Sequence, residues 1–255
     1  TLAKGLRLKS QFSYTHTDTE NFYYSPSTLP VAERYHYGGT AKRTNSETKN
    51  LLSETTLSFN RTFKKKHKLD IVGGFTYQYN YNDYAYTWGR GYLDDNVTAY
   101  NMGDLLDKRM ITANSSASLR QRYGVLARVN YNYGGRYHLT VTGRADASSN
   151  FAAGNQWGFF PSAAFKWTIS NEKFMRGAKS WLSDLSIRVS AGSSGNDSVG
   201  NYVSQMLLTS NESGWLFGEA YNVSHYPNRL DNPSLTWERT NSYNIGVDFS
   251  ILNDR

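Results

Sequence analysis

From Leu119 to Tyr133 the odd positions read Leu119, Gln121, Tyr123, Val125, Ala127, Val129, Tyr131 and Tyr133, and the even ones Arg120, Arg122, Gly124, Leu126, Arg128, Asn130 and Asn132. Side chains alternate across a strand with a period of two, so this stretch predicts a long strand with one apolar, aromatic face and one polar face. Gly134-Gly135-Arg136 then supplies a tight turn, and the alternation resumes with Tyr137, Leu139, Val141, Gly143 and Ala145 against His138, Thr140, Thr142, Arg144 and Asp146. The same reading recurs along the chain. Leu6, Leu8, Phe12 and Tyr14 form one apolar set; Leu51, Thr55, Leu57 and Phe59 a second; Leu69, Ile71, Phe75, Tyr77 and Tyr79 a third. Further sets are Phe159, Ala163, Phe165, Trp167 and Ile169; then Leu185, Ile187, Val189 and Ala191; and last Trp237, Tyr243, Ile245, Val247, Phe249 and Ile251. The pattern predicts eight antiparallel strands, and helical spacing is sustained only over Asn171–Ser183.

The connections alternate in length. Short links fall at Lys64–Lys68 and Gly134–Arg136, with a medium one at Ser170–Ser183. Longer loops are expected at about Thr15–Lys49, Asn82–Ser118, Ser148–Gln156 and Gly192–Leu235. Outer-membrane barrels connect their strands in this rhythm, with short periplasmic turns and long extracellular loops. The rhythm places both ends of the chain on the periplasmic side. A soluble β-sandwich also alternates, but with shorter strands and no strict succession of short and long links.

Composition changes the picture in one respect. Only 38% of the chain is hydrophobic and the mean hydropathy is −0.64, values of a polar protein. Yet 20 Tyr, 12 Phe and 6 Trp supply the amphipathic rings of interfacial girdles, and a barrel turns only every second strand residue to lipid. No apolar run approaches the ~20 residues of a membrane helix, and nothing at Thr1 resembles a signal peptide. Zero cysteines exclude disulfides, thiolate metal sites and thiol catalysis. The net charge of +7 is dispersed apart from Lys64-Lys65-Lys66-His67-Lys68, which argues against a nucleic-acid partner.

At Tyr123 the chain begins to resemble a particular family. Tyr123-Gly124-Val125-Leu126-Ala127-Arg128-Val129-Asn130-Tyr131-Asn132-Tyr133 is followed by Leu139-Thr140-Val141-Thr142-Gly143-Arg144-Ala145-Asp146-Ala147-Ser148-Ser149-Asn150-Phe151 and then Trp157-Gly158-Phe159-Phe160-Pro161-Ser162. Asn171-Glu172-Lys173-Phe174-Met175, Trp181–Arg188, Gly195-Asn196-Asp197, Asn232–Glu238 and Asn244–Phe249 come next. In this order they resemble the SusC/RagA family of TonB-linked outer-membrane proteins, over about Asn50–Arg255. Ala147 stands where the family prefers Gly, and Asn150 where it often has Arg. The resemblance implies a bacterial outer-membrane barrel of about twenty-two strands, of which these eight form the middle third. It implies a plug, a TonB box and remaining strands outside this segment. It also implies partners: TonB, acting through that N-terminal region; a SusD-like surface lipoprotein closing the mouth; and oligosaccharide or peptide as substrate. The alternatives are a siderophore or cobalamin receptor without a lid, and a small closed barrel acting as porin or adhesin.

No enzyme chemistry and no cofactor is expected. His16, His36, His67, His138 and His225 do not pair at metal-ligand spacing. Asp94-Asp95-Asn96 and Gly195-Asn196-Asp197 lack the alternating oxygens of a calcium loop. Gly192-Ser193-Ser194-Gly195-Asn196 precedes no helix that would reinforce an anion nest, and no Gly-x-Ser-x-Gly elbow occurs. On a lipid face each of Arg120, Arg122, Arg128 and Arg144 would cost ~2–4 kcal/mol at the midplane. They are therefore expected to face the lumen and, on the resemblance, the plug. The ligand- or lid-contacting candidates are the loop aromatics Trp88, Tyr92, Trp215 and Phe217, flat rings beside Gly, Asp and Asn.

Overall fold

The computed structural model describes residues 4–30, 38–96, 98–105, 107–210 and 215–252. Among these described residues twelve strands follow one another: β1 (Leu6–Ser25), β2 (Gly39–Phe63), β3 (His67–Tyr92), β4 (Ile111–Tyr133), β5 (Tyr137–Ser148), β6 (Trp157–Thr168), β7 (Leu182–Asn196), β8 (Leu207–Ser210), β9 (Trp215–Phe217), β10 (Ala220–Asn222), β11 (His225–Arg229) and β12 (Glu238–Ile251). Eight of them, β1 to β7 and β12, form one sheet in chain order, with β1 and β12 as its two edges, so the sheet is open. The eight strands expected from the alternation are these eight. By contacts the chain divides into two compact units: Thr1–Phe12, Ser53–Gln78 and Gln121–Arg255 form the first, and Ser13–Leu52 and Tyr79–Arg120 the second.

In the first unit the register carries the alternation across five strands. Val125 pairs with Ala145 and that with Phe159; Val129 pairs with Val141 and that with Ala163. Leu139 pairs with Phe165, Phe165 with Val189, and Val189 with Ile245. One face is thus a continuous apolar sheet surface, and it is open: Val125 is 48% exposed, Phe159 56% and Ile245 80%. Water tolerates contiguous apolar patches of only a few hundred Å² on a monomer. A surface that crosses five strands without a polar interruption is built for an apolar solvent.

The strands outrun their expected ends. β1 continues to Ser25 and β2 starts at Gly39, inside the loop read as Thr15–Lys49, and the residues between them include 31–37, outside the described set. β3 continues to Tyr92 and β4 starts at Ile111, inside the loop read as Asn82–Ser118. Within the stretch read as Gly192–Leu235, β7 runs to Asn196, β8 pairs with β11, and β9 pairs with β10. The cause is chemical. Thr15, Thr17 and Thr19 alternate with His16, Asp18 and Glu20, so both faces are polar and the apolar contrast that marks a strand is gone. The β6–β7 link, where helical spacing was noted, consists of 3-10 turns at Ile169–Asn171 and Lys173–Ala178.

Two hairpins share one turn geometry. Lys64 and Lys65 have φ of 47° and 56°, and Gly134 and Gly135 have 60° and 70°. Paired left-handed residues match the twist of the strands they join. The third link is tied by side chains instead. Glu172, buried beside its 3-10 turn, accepts from Arg136 Nη1 at 2.7 Å, Tyr137 OH at 2.6 Å and Trp167 Nε1 at 3.2 Å. Asn171 donates to the Gly135 carbonyl at 2.9 Å, binding this link to the neighbouring turn.

A Cβ on Gly135 meets only the far end of Asn171, at 3.9 Å, so substitution there tests backbone conformation alone. Gly135→Ala should lower stability by about 1–2 kcal/mol, the cost of a left-handed L-residue. Urea titration of the detergent-folded protein measures it, and a loss below about 0.3 kcal/mol would show that the turn relaxes to another type.

Candidate functional site

The polar face of the sheet carries the charged groups. In the first unit Arg122, Gly124, Arg128, Asn130 and Asn132 of β4 lie opposite Ser148, Asp146, Thr142, Thr140 and His138 of β5, and Arg144 lies opposite Leu126. Arg122, Arg128 and Arg144 therefore share the face away from the apolar surface, as does the polar set of β6. They do not converge on one point; each has its own partner. Arg122 grips Asp197 with two guanidinium nitrogens, Nε at 2.8 Å from Oδ2 and Nη2 on Oδ1. Arg144 Nε donates to Asp146 Oδ2 at 2.7 Å. Arg128 is exposed and donates to Thr142 Oγ1 at 3.2 Å. Arg120, half-buried on β4, belongs to the second unit.

Room for this row depends on an absent side chain. A Cβ on Gly124 would stand 2.5 Å from Thr76 Oγ1, 2.6 Å from Asp146 Oδ1 and 2.9 Å from Arg144 Nη2. Glycine at this point lets the Arg144–Asp146 pair lie flat on the sheet. Arg122, Arg144, Asp146 and Asp197, with Thr76 and Gln78, line a depression of about 230 Å³.

At the long-loop end of the same unit, motifs far apart in sequence are tied together. Asn150 is 2% exposed, and its amide donates to the carbonyls of Asp197 at 3.3 Å and Val199 at 3.1 Å. Asn155 donates to the Pro233 carbonyl at 2.7 Å, and Thr236 Oγ1 to the Asn155 carbonyl at 3.2 Å. Trp237, expected in the apolar face of the last strand, instead precedes β12. It is nearly buried, donates from Nε1 to the Gln156 carbonyl at 2.8 Å, and packs on Phe151 and Phe160 at ring centroids of 5.5 and 5.4 Å. Alternation could not reveal this, because an indole with a buried N–H seeks a carbonyl wherever the chain offers one. Phe160 in turn lies against Gly158 and Gly195, where a Cβ would collide with its ring.

Two of the four aromatic candidates are in different places from those expected. Trp88 and Tyr92 belong to the end of β3, in the second unit, not to a loop. Tyr92 is 1% exposed, packs with Ala41, Ala99 and Leu105, and donates to the Met102 carbonyl at 3.1 Å, so its ring serves the local core. Trp88 is half-buried under the Arg90 guanidinium, 3.7 Å from the ring centroid. Tyr84 and Tyr86, which lie on the same face by alternation, were not singled out from sequence. Their rings are 6.0 Å apart, and Lys42 Nζ sits 4.6 Å from the Tyr86 centroid. Trp215 and Phe217 are the ends of β9, which pairs with β10 through Trp215↔Asn222 and Phe217↔Ala220.

The loop after β3 is held by one carboxylate. Asp95 accepts from the Ser27 backbone N–H and hydroxyl, both at 2.9 Å, and from Tyr24 OH at 2.7 Å. The Ser27 amide above all, then the Tyr24 hydroxyl, holds the Asp95 carboxyl below its usual range. Among the described residues three metal-ligating side chains also converge: His16, Asp18 and Glu47 in the second unit.

Two outcomes follow. Asn150→Ala orphans two loop carbonyls and should cost about 1–3 kcal/mol in urea unfolding, whereas exposed Arg128→Ala should stay within about 0.5 kcal/mol; equal losses would refute the knot. Because the Asp95 carboxyl is depressed in the folded state, its contribution is present above about pH 5 and is lost as pH falls through and below about 3.9. Limited proteolysis by an acid-active protease should therefore begin to cut residues 93–110 as the pH falls below that value, and an Asp95→Ala variant cut at pH 7 by a neutral protease no faster than wild type would contradict the assignment.

Residues 1–255 match the family model for the TonB dependent receptor-like β-barrel. TonB-dependent receptor P3 of Formosa agariphila is 29% identical over 253 residues, 98% of this chain and 24% of that protein. TonB-dependent receptor P26 of the same organism is 31% identical over 231 residues, 91% of this chain and 22% of that protein. TonB-dependent receptor SusC of Bacteroides thetaiotaomicron is 37% identical over 131 residues, half of this chain and 13% of that protein. The chain thus spans about a quarter or less of the length of the curated relatives it matches. Among solved structures, the RagAB peptide transporter superposes with a TM-score of 0.84 at 24% identity, over 99% of this chain and 27% of that one. Its relatives by sequence, the extent of the family match and an open sheet with one apolar and one charged face all agree: the chain belongs to the TonB-dependent receptor-like β-barrel family.

Proposed function

We propose that this chain is a section of the wall of a bacterial outer-membrane nutrient importer, with its apolar face in lipid and its charged face toward the lumen. It does no covalent chemistry. The observation that carries the reading is the pairing of two unlike faces on one register: Phe159, Val125 and Ile245 exposed on one side, and the Arg122, Arg144 and Asp146 row on the other. A charge row on a lipid face is too costly to keep, at ~2–4 kcal/mol per arginine at the midplane.

In this reading Arg120, Arg122, Arg128 and Arg144 face a plug that fills the lumen. Arg128, exposed and held by a single hydroxyl, is the best placed of them to meet an acidic group on it. Trp88 with Tyr84 and Tyr86, together with the β9 residues Trp215 and Phe217, contribute rings to ligand or lid contact, while Tyr92 positions the β3 end. TonB draws on the plug, and a SusD-like surface lipoprotein closes the extracellular mouth. The cargo is an oligosaccharide or a peptide. Both suit flat rings beside amide and hydroxyl donors, and one neighbouring structure is that of a peptide transporter.

Uptake by cells of labelled oligosaccharide and labelled peptide, each with and without the co-encoded lipoprotein, tests the reading. One of the two should enter in a TonB- and lipoprotein-dependent manner, and Trp88→Ala should raise its half-saturation concentration by roughly 5- to 30-fold, the worth of one aromatic contact of about 1–2 kcal/mol. Uptake of a ferric siderophore without any lipoprotein would overturn it.

A further inference from the structure

In the second unit, the face of β1 and β2 that bears Tyr14 and Leu51 continues, two residues at a time, into His16, Asp18 and Glu20 on β1 and into Lys49, Glu47 and Asn45 on β2. The rings of Tyr14 and His16 are 6.4 Å apart, as befits neighbours on one face. There an imidazole nitrogen stands between two carboxylates. His16 Nε2 is 2.9 Å from Glu47 Oε1 and 3.2 Å from Asp18 Oδ1, and one ligand atom from each of the three residues lies within 4.8 Å of the others.

We propose that His16, Asp18 and Glu47 bind a divalent transition-metal ion of the zinc class, which clamps the edge strand β1 to β2. Three observations support it. First, ligands bonded at about 2.0–2.1 Å and set 90–110° apart lie about 2.9–3.4 Å from each other, and both distances to His16 fall in that interval. Second, the donor set is right. A neutral imidazole with its hydrogen on Nδ1 offers a lone pair at Nε2, and two carboxylates supply hard, charged oxygens; one nitrogen with two oxygens suits zinc, cobalt or nickel more than magnesium or calcium. Third, the surroundings are negative. Asp18, Glu20, Glu47 and Asp83 line one depression of about 260 Å³, which concentrates cations at its mouth.

The competing occupant is Lys49, whose Nζ is 2.6 Å from Glu47 Oε1. It shares the very oxygen that stands beside His16, so an ion enters by displacing the ammonium from Glu47 Oε1. With three protein ligands the ion keeps at least one coordination position open, and His16 and Asp18 are both exposed, so the open side faces solvent. Sequence could show only His16-x-Asp18, because the third ligand lies 31 residues further on and meets them through strand pairing.

The test is titration of the detergent-purified protein with Zn²⁺ alone by calorimetry, with Co²⁺ absorption in the visible as a second signal. Wild type should bind one ion saturably. H16A and D18N, at exposed positions, should each weaken binding by at least about tenfold, since even residues that only orient a ligand cost 10- to 100-fold. K49M, which removes the competing cation, should bind at least as tightly as wild type. Heat-modifiable migration on gels confirms that each variant is folded. Absence of saturable binding in folded wild type, or affinity unchanged in both H16A and D18N, would overturn the proposal and leave a salt-bridge cluster organised by Lys49.

Discussion

In hydrocarbon an unpaired backbone N–H or C=O has no water to turn to and costs several kcal/mol, so a strand survives there only when both of its edges are paired. That constraint explains the long strands, the in-order sheet and the strictness of the register, because a slip of one residue would carry every arginine of the polar face into lipid. It also explains why the chain buries few apolar side chains. Phe151, Phe160 and Trp237 form one small cluster, and Ala41, Tyr92, Ala99 and Leu105 another, both at the long-loop end of strands. Elsewhere the apolar residues have their solvent outside.

What alternation could reveal, and where it stopped, follows from the same physics. The faces of β4 to β7 were legible because Val125, Val129, Val141 and Val189 contrast with Arg122, Arg128, Thr142 and Arg188 at every step. Beyond the apolar band the contrast vanishes. Thr15 to Glu20 and Lys42 to Lys49 are polar on both faces, and strands there were mistaken for loop although their pairing continues. Glycine was legible at Gly134-Gly135, where two successive glycines mark a turn, but not at Gly124, whose reason lies in side chains on two neighbouring strands.

The site was less legible than the fold. Arg122 announced a need for an acidic partner, but the partner is Asp197, 75 residues on in the Gly195-Asn196-Asp197 stretch. Glu172 gave no signal beyond its place in a family motif, yet it gathers three donors under the third link. Trp88 stands out in sequence as one of six tryptophans, whereas Tyr84 and Tyr86 are two of twenty tyrosines and gain meaning only from their position beside it on β3. Pairings between distant strands are set by register, and register is a property of the whole sheet.

The knot around Asn150 separates the long insertion after β7 into a root and a tip. The root is fastened at one end by Arg122 and Asn150 and at the other by Asn155 and Gln156, all on the wall side. The tip carries two small two-stranded sheets and is tied back through Arg229, which donates to the carbonyls of Tyr202 and Gln205, and through Ser204, which donates to the Asn150 carbonyl. Substitutions in β8 to β11 are therefore felt by the eight-stranded sheet chiefly through these few ties. Such an architecture lets selection rework the rim one hairpin at a time, while the register of the open sheet below is kept.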